Sequence, residues 1–127
     1  MTIQTVKTDR APAAIGPYSQ AVVAGGVLYA SGQIPLDPQT GETVDGGISA
    51  QTTQVLENLK AVVEAAGAHM SDVVKVTIYL VDMTQFSVVN EIYATYFSAP
   101  FPARACVEVS RLPRGVEIEM DAIARIA

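Results

Sequence analysis

"PFPARACVEVSRLPRGVEIEMDAIARI", residues 100–126, contains two alternating runs joined by Arg-Leu-Pro-Arg-Gly. The alternation predicts strands over 104–110 and 116–126. In the first, Arg104, Cys106 and Glu108 share one face, and Ala105, Val107 and Val109 share the other, which reads as an ordinary core face. In the second, Val116, Ile118, Met120 and Ala122 face one way, while Glu117, Glu119 and Asp121 face the other. If the two strands pair as neighbours, their polar faces lie on the same side, and Arg104 and Cys106 come near Glu119 or Asp121. A strand that puts a cation, a thiol and a carboxylate in a row raises the question of what the arginine holds.

Upstream, "VVKVTIYLV" (73–81) is β-branched and continuous, which suits a central strand. Between it and residue 104 lies a helical pattern from about Thr84 to Phe97. Phe86, Val89, Tyr93, Tyr96 and Phe97 form its buried stripe, with Asp82 or Thr84 as cap. A longer helix runs from Ser49 to Ala66. Val55, Leu56, Leu59, Val62, Val63 and Ala66 form its stripe, and Gly67 ends it. "AVVAGGVLYASGQ" (21–33) reads as two strands around a Gly25-Gly26 turn. The Pro- and Gly-rich stretch 34–47 reads as a surface loop. The order ββ(loop)αβαββ gives an α+β fold with two helices on one face of a mixed sheet. Its other face lacks cover, so an oligomer is expected.

At 127 residues the chain is read as one domain, 1–127. Half of the residues are hydrophobic and 17% are charged, which excludes disorder. The net charge of −5 and the scattered Lys and Arg argue against a nucleic-acid surface, which needs a basic stripe to displace counterions. One Cys and one His make neither an internal disulfide nor a zinc site of the usual spacing. With no signal-like N-terminus and no long apolar run, a soluble, cytoplasmic protein without a membrane partner is expected.

Singly, most polar candidates have more than one reading. Arg104 and the carboxylates are either a site or a solvated sheet face, with a cross-strand ion pair worth under about 1 kcal/mol. Cys106 is a small packed residue or a nucleophile, though no base is obvious for it. His69 is a solvated loop residue, and Tyr18, in "IGPYSQ", packs or lines a site. Ser31 and Gly32, in "ASGQIP", end a strand or offer a hydroxyl and backbone N–H to a ligand. Asn90 caps, bonds a neighbour or faces water. No phosphate loop, zinc-protease motif or nucleophile elbow is present.

Taken together, "IGPYSQAV", "ASGQIPLDPQTGE", "VLENLKAVVEAAG", "VNEIYATYF" and "PARACVEVSRLPRGVEIEMDAIA" resemble the Rid (YjgF-type) family, in particular its RidA-like enamine/imine deaminases. The resemblance covers nearly the whole chain, with no departure at the diagnostic positions. It implies a chorismate-mutase-like fold, with a mixed six-stranded sheet, two helices on one face, and a homotrimer whose pockets lie between subunits. It implies hydrolysis of 2-aminoacrylate and of 2-iminopropanoate or 2-iminobutanoate to 2-keto acids and ammonia, without a cofactor or metal. Arg104 matches the arginine that clamps the substrate carboxylate, and Glu119 the glutamate that holds the attacking water. Tyr18, Ser31, Gly32 and Cys106 match pocket-lining residues, and Asn90 a less diagnostic neighbour. A different class stays open, a trimeric metabolite-binding regulator without turnover. Relatives are also described as ribonucleases, a reading that the acidic balance disfavours.

Overall fold

The computed structural model describes residues 2–126. Its strands are β1 (Gln4–Val6), β2 (Ala21–Ala24), β3 (Val27–Gln33), β4 (Val73–Leu80), β5 (Ala103–Glu108) and β6 (Ile118–Arg125). They form one six-stranded sheet in the order β1-β2-β3-β6-β4-β5. Only β4 and β5 are parallel; the other neighbours are antiparallel. Helices α1 (Gly47–Ala65) and α2 (Phe86–Tyr93) complete the fold. Thus the sheet gains one strand over the sequence pattern: β1 is three residues long and mostly exposed, too short to show a period.

Local chemistry explains the elements. Gly25 and Gly26 both have positive φ (58° and 78°), as a two-residue hairpin turn between β2 and β3 requires. Val55, Leu56, Leu59, Val62 and Val63 of α1 are fully buried against Leu28, Val76, Ile78, Ile118 and Met120 of the sheet. Gly67, at φ 84°, follows the end of α1 and closes it with a bond from its N–H to the Glu64 carbonyl. Asp82 caps a short 3₁₀ turn before α2, its Oδ1 accepting from the Thr84 N–H at 3.0 Å. The 3₁₀ turn takes up residues 83–85, and α2 ends at Tyr93, so the helix is shorter at both ends than its apolar pattern. Tyr96 and Phe97 fall beyond its last turn yet still pack on the core.

The stretch 34–47 is a loop, as its Pro and Gly content predicts, and it is tied down at several points. Asp37 Oδ1 accepts from Gln39 and Thr40, while Leu36 bridges to Thr43. The buried amide of Asn58 on α1 donates to the carbonyls of Ile34 and Leu36, which fixes the loop after β3.

Both helices lie on one face of the sheet, and α1 touches β3, β6 and α2. The opposite face carries Tyr29, Tyr79, Val107, Glu119, Asp121 and Ile123, by strand register. Tyr29 and Val107 on it are 47% and 42% exposed.

Candidate active site

The sheet divides the expected site residues into two clusters. Strand β4 lies between β5 and β6, so the two polar strands are not neighbours. Their registers through β4 place Arg104 opposite Val76 and Cys106 opposite Ile78, both on the helix side. Glu119 instead pairs with Tyr79, on the open side. The expected approach of Arg104 and Cys106 to Glu119 or Asp121 within one chain is therefore overturned, because the parallel β4–β5 pairing inserts a strand and sets the two rows on opposite faces.

The face assignment within β5 is also reversed. Cys106 is half-buried on the helix side, its Sγ 3.9 Å from Met83 Sδ, and Glu108 Oε1 accepts from the Met83 N–H at 2.9 Å. Ala105 and Val107, read as core, are exposed on the open side. The cause is the position of β5 as an edge strand beside the short α2. Its polar row meets the 3₁₀ turn before that helix and the helix itself, while on the other face Val107 has Tyr79 of β4 beside it and no helix above it among the described residues.

On the helix side, Arg104 is held by α2. Its Nη1 donates to Asn90 Oδ1 at 2.7 Å, and its Cζ lies 5.3 Å from the Phe86 ring centroid and 4.8 Å from that of Tyr93. Among the described residues no carboxylate forms an ion pair with it; the two ion pairs found are Arg10–Glu64 and Arg125–Asp72. Arg104, Asn90 and Tyr93 line one cavity of about 460 Å³ together with Phe101 and Pro102. Burial pushes the Cys106 thiol pKa up, against a smaller opposing pull from Arg104. That thiol stays protonated, which suits packing better than nucleophilic attack.

On the open side, Glu119 lies over Gly32, where a Cβ would overlap its Oε2. The β3–β6 register shifts between Ala30 and Gln33, so this glycine sits in an irregular part of the ladder. Ser31 Oγ donates to the Ser19 carbonyl at 2.6 Å, and the Ser31 N–H donates to the Gln20 carbonyl, tying β3 to the Tyr18 segment. Tyr18 and Gly32 line the same crevice, of about 40 Å³. The Gln20 amide is buried and bonded to Thr8, Ala11 and Pro12, which fixes this segment in turn.

Burial is the main cause that raises the Glu119 pKa, with the neighbouring Asp121 adding to it. Tyr79 donates to Asp121 Oδ2 at 2.8 Å and thereby holds that charge in place. Glu117, which the alternation groups with Glu119, is instead engaged by Gln51 on α1. Its N–H donates to Gln51 Oε1 at 2.8 Å, anchoring the start of β6. His69 is exposed and begins the 3₁₀ turn before β4.

Phe86 and Tyr93, which the helical periodicity assigns to a buried stripe, also stand against Arg104 in the candidate site. Their spacing around Asn90, at i, i+4 and i+7, is the signal that they share its face of α2. Among the described residues no group of three or more His, Cys, Asp or Glu is placed to hold a metal ion. None of the described helices is long and apolar enough to cross a membrane.

The family model described as Endoribonuclease L-PSP matches residues 8–126. The chain belongs to that family. Its members include the Rid proteins of the resemblance. A 2-iminobutanoate/2-iminopropanoate deaminase of Salmonella typhimurium is 52% identical over 95% of this chain and 96% of its own. A RutC family protein of Pyrococcus horikoshii is 58% identical, covering 95% of this chain and 96% of that one. Among solved structures, a putative endoribonuclease of Thermotoga maritima is 56% identical, with a TM-score of 0.95 and 98% of both chains covered. RidA from an Antarctic Psychrobacter is 49% identical, with a TM-score of 0.93, covering 97% of this chain and 99% of that one. The six-stranded sheet with two helices thus matches the fold of these solved structures over nearly the whole chain.

Proposed function

We propose that this chain is a 2-imino acid deaminase, one Rid-type domain over 1–127 that acts as a homotrimer with its sites between subunits. The observation that carries the reading is an arginine with no carboxylate partner among the described residues, oriented by Asn90, in a chain over half identical to a named 2-iminobutanoate/2-iminopropanoate deaminase. A planar guanidinium grips both oxygens of a carboxylate, with bonds roughly twice as strong as neutral ones. A half-buried carboxylate with a raised pKa, Glu119, is suited to hold a water and exchange its proton.

The reaction follows from these parts. The enamine tautomerises to a 2-imino acid, whose carboxylate binds Arg104. Water held by Glu119 adds to the imine carbon and gives up a proton, forming a carbinolamine. Protonation of the nitrogen lets the C–N bond break; ammonia leaves and the carbinol oxygen becomes the keto carbonyl. Free imines hydrolyse unaided, so positioning and modest acid–base help suffice. Tyr18, Ser31 and Gly32 line the Glu119 side of the site; Cys106 and Asn90 line the Arg104 side. The exposed Tyr29 and Val107 on the open sheet face support assembly. The net charge of −5 supports a small-acid substrate held by a local arginine over a polyanion held by a basic stripe.

The test is turnover. Purified protein is added while an amino-acid oxidase or a threonine dehydratase generates the imine, and keto acid and ammonia release are followed. Acceleration over buffer is expected. Binding of the acid without acceleration would mean a metabolite-binding regulator instead.

A further inference from the structure

Arg104 leaves the edge strand β5 toward α2, where Phe86, Asn90 and Tyr93 stand one above another at i, i+4 and i+7. Asn90 takes one N–H of the guanidinium at 2.7 Å. The two rings lie within 5.3 Å and 4.8 Å of Cζ, inside the range in which a ring face attracts a cation. Tyr93 is itself immobilised: it is 4% exposed, and its ring packs on Phe97 with centroids 4.6 Å apart. Its hydroxyl is buried and without a hydrogen-bond partner. The contact Tyr93 makes with the site is therefore through its ring and not through its oxygen.

A free arginine has many rotamers, and ordering them on substrate binding costs affinity. A slot that orders the guanidinium beforehand removes that cost. Asn90 fixes one edge by a directional bond, while the rings limit where Cζ can lie. The donors of Nε and Nη2 are left for a ligand.

We propose that Phe86 and Tyr93 are positioning residues for the reaction, acting through Arg104 by holding its guanidinium against their ring faces, ready for the substrate carboxylate. This inference rests on the deaminase reading. The rings touch no reacting atom; their effect passes entirely through the arginine.

The experiment is a double-mutant cycle of Phe86→Leu with Arg104→Ala, read both as imine turnover and as 2-oxobutanoate affinity by calorimetry. Phe86→Leu keeps an apolar group of similar size and removes the ring. Alone it is expected to raise KM and weaken 2-oxobutanoate binding by about three- to tenfold, with kcat changed less than about twofold. In the Arg104→Ala background the same change is expected to cost less than about twofold, because its route has gone. Tyr93→Phe keeps the ring face and is expected to keep wild-type KM, whereas Tyr93→Leu is expected to raise it. Equal losses from Phe86→Leu in both backgrounds would overturn the inference, as would a raised KM in Tyr93→Phe. If the unaltered protein turns over no imine, the deaminase reading fails, and the 2-oxobutanoate cycle alone decides the slot. If it binds no 2-oxobutanoate either, both are overturned.

Discussion

Arg104 and Glu119 lie on opposite faces of one sheet, with strand β4 between their strands. Arg104 is level with Val76 and Glu119 with Tyr79, so three residues along β4 and two strand spacings separate them, roughly 14 Å between Cα atoms. A three- or four-carbon imino acid does not span that distance through a sheet. For the clamp and the water-holding carboxylate to meet on one substrate, they must come from different copies of the chain. On the proposed reading, oligomerisation would be part of the chemistry, and not only cover for the exposed Tyr29 and Val107.

Mixing two crippled proteins tests this directly. Arg104→Ala and Glu119→Gln are each expected to be nearly inactive alone. If the proposed trimer holds, co-refolding gives every mixed trimer one intact site, with Arg104 from one copy and Glu119 from the next. Activity should therefore rise on mixing, measured as imine turnover per milligram. A mixture no better than the average of its components would place both residues in a single-chain site, against the register of β4.

Arg104→Ala removes a charge-assisted contact worth roughly 1.5–3 kcal/mol, about ten- to over a hundredfold in kcat/KM. Arg104→Lys retains the charge but not the fork or the flat face, so partial rescue is expected. Because no carboxylate among the described residues pairs with Arg104, neither change should lower the melting temperature by more than a few degrees. Unfolding of Arg104→Ala would instead mark the arginine as structural.

Much of the fold was legible because its signals are periodic. The stripes of α1 and α2, the continuous apolar β4 and the Gly25-Gly26 turn each follow from local sequence. Strand order was not, since it depends on which partner each strand edge meets. Alternation correctly separated Glu119 from Met120, yet it could not say that β4 would divide β5 from β6. For the same reason it misassigned β5: Ala105 and Val107 alternate like core residues, and the sheet face they occupy is open in one chain. Gly32 was legible only as part of a Ser-Gly strand end, because its meaning is the close approach of Glu119 from a strand distant in sequence.

That approach predicts the effect of one methyl group. In Gly32→Ala the new Cβ would overlap Glu119 Oε2, so the carboxylate must swing away. A displacement of about 1 Å at a positioned group costs on the order of a hundredfold in rate. The expected result is a large loss in kcat with a folded protein and little change in 2-oxobutanoate affinity, since Arg104 is untouched. Unchanged kcat would separate Glu119 from the reaction.

Cys106 lies on the Arg104 side of the proposed site, but its thiol is held protonated by burial and rests against Met83. Water, not sulfur, attacks the imine in the proposed reaction. Cys106→Ala should keep most of the activity, and thiol-directed alkylation should inhibit only by crowding the pocket. A near-complete loss in a folded Cys106→Ala protein would assign the thiol a chemical role.

The raised pKa of Glu119 has consequences for both rate and stability, and their signs differ. Its folded value lies above its unfolded one, so the native state holds the proton more tightly. Stability is then highest below the ordinary glutamate range and falls as pH rises through the raised folded value. Glu119→Gln removes that penalty, so its melting temperature should exceed that of the unaltered protein at about pH 7 and match it near pH 3. Catalysis runs the other way. If the ionised form holds the attacking water, activity falls as pH drops through the raised value, so the acid limb sits above that of an ordinary glutamate. Asp121 is the lesser cause of the shift, after burial, so Asp121→Asn should move that limb downward without abolishing it. A limb unmoved in Asp121→Asn, together with no stability gain in Glu119→Gln, would mean that another group sets the pH dependence.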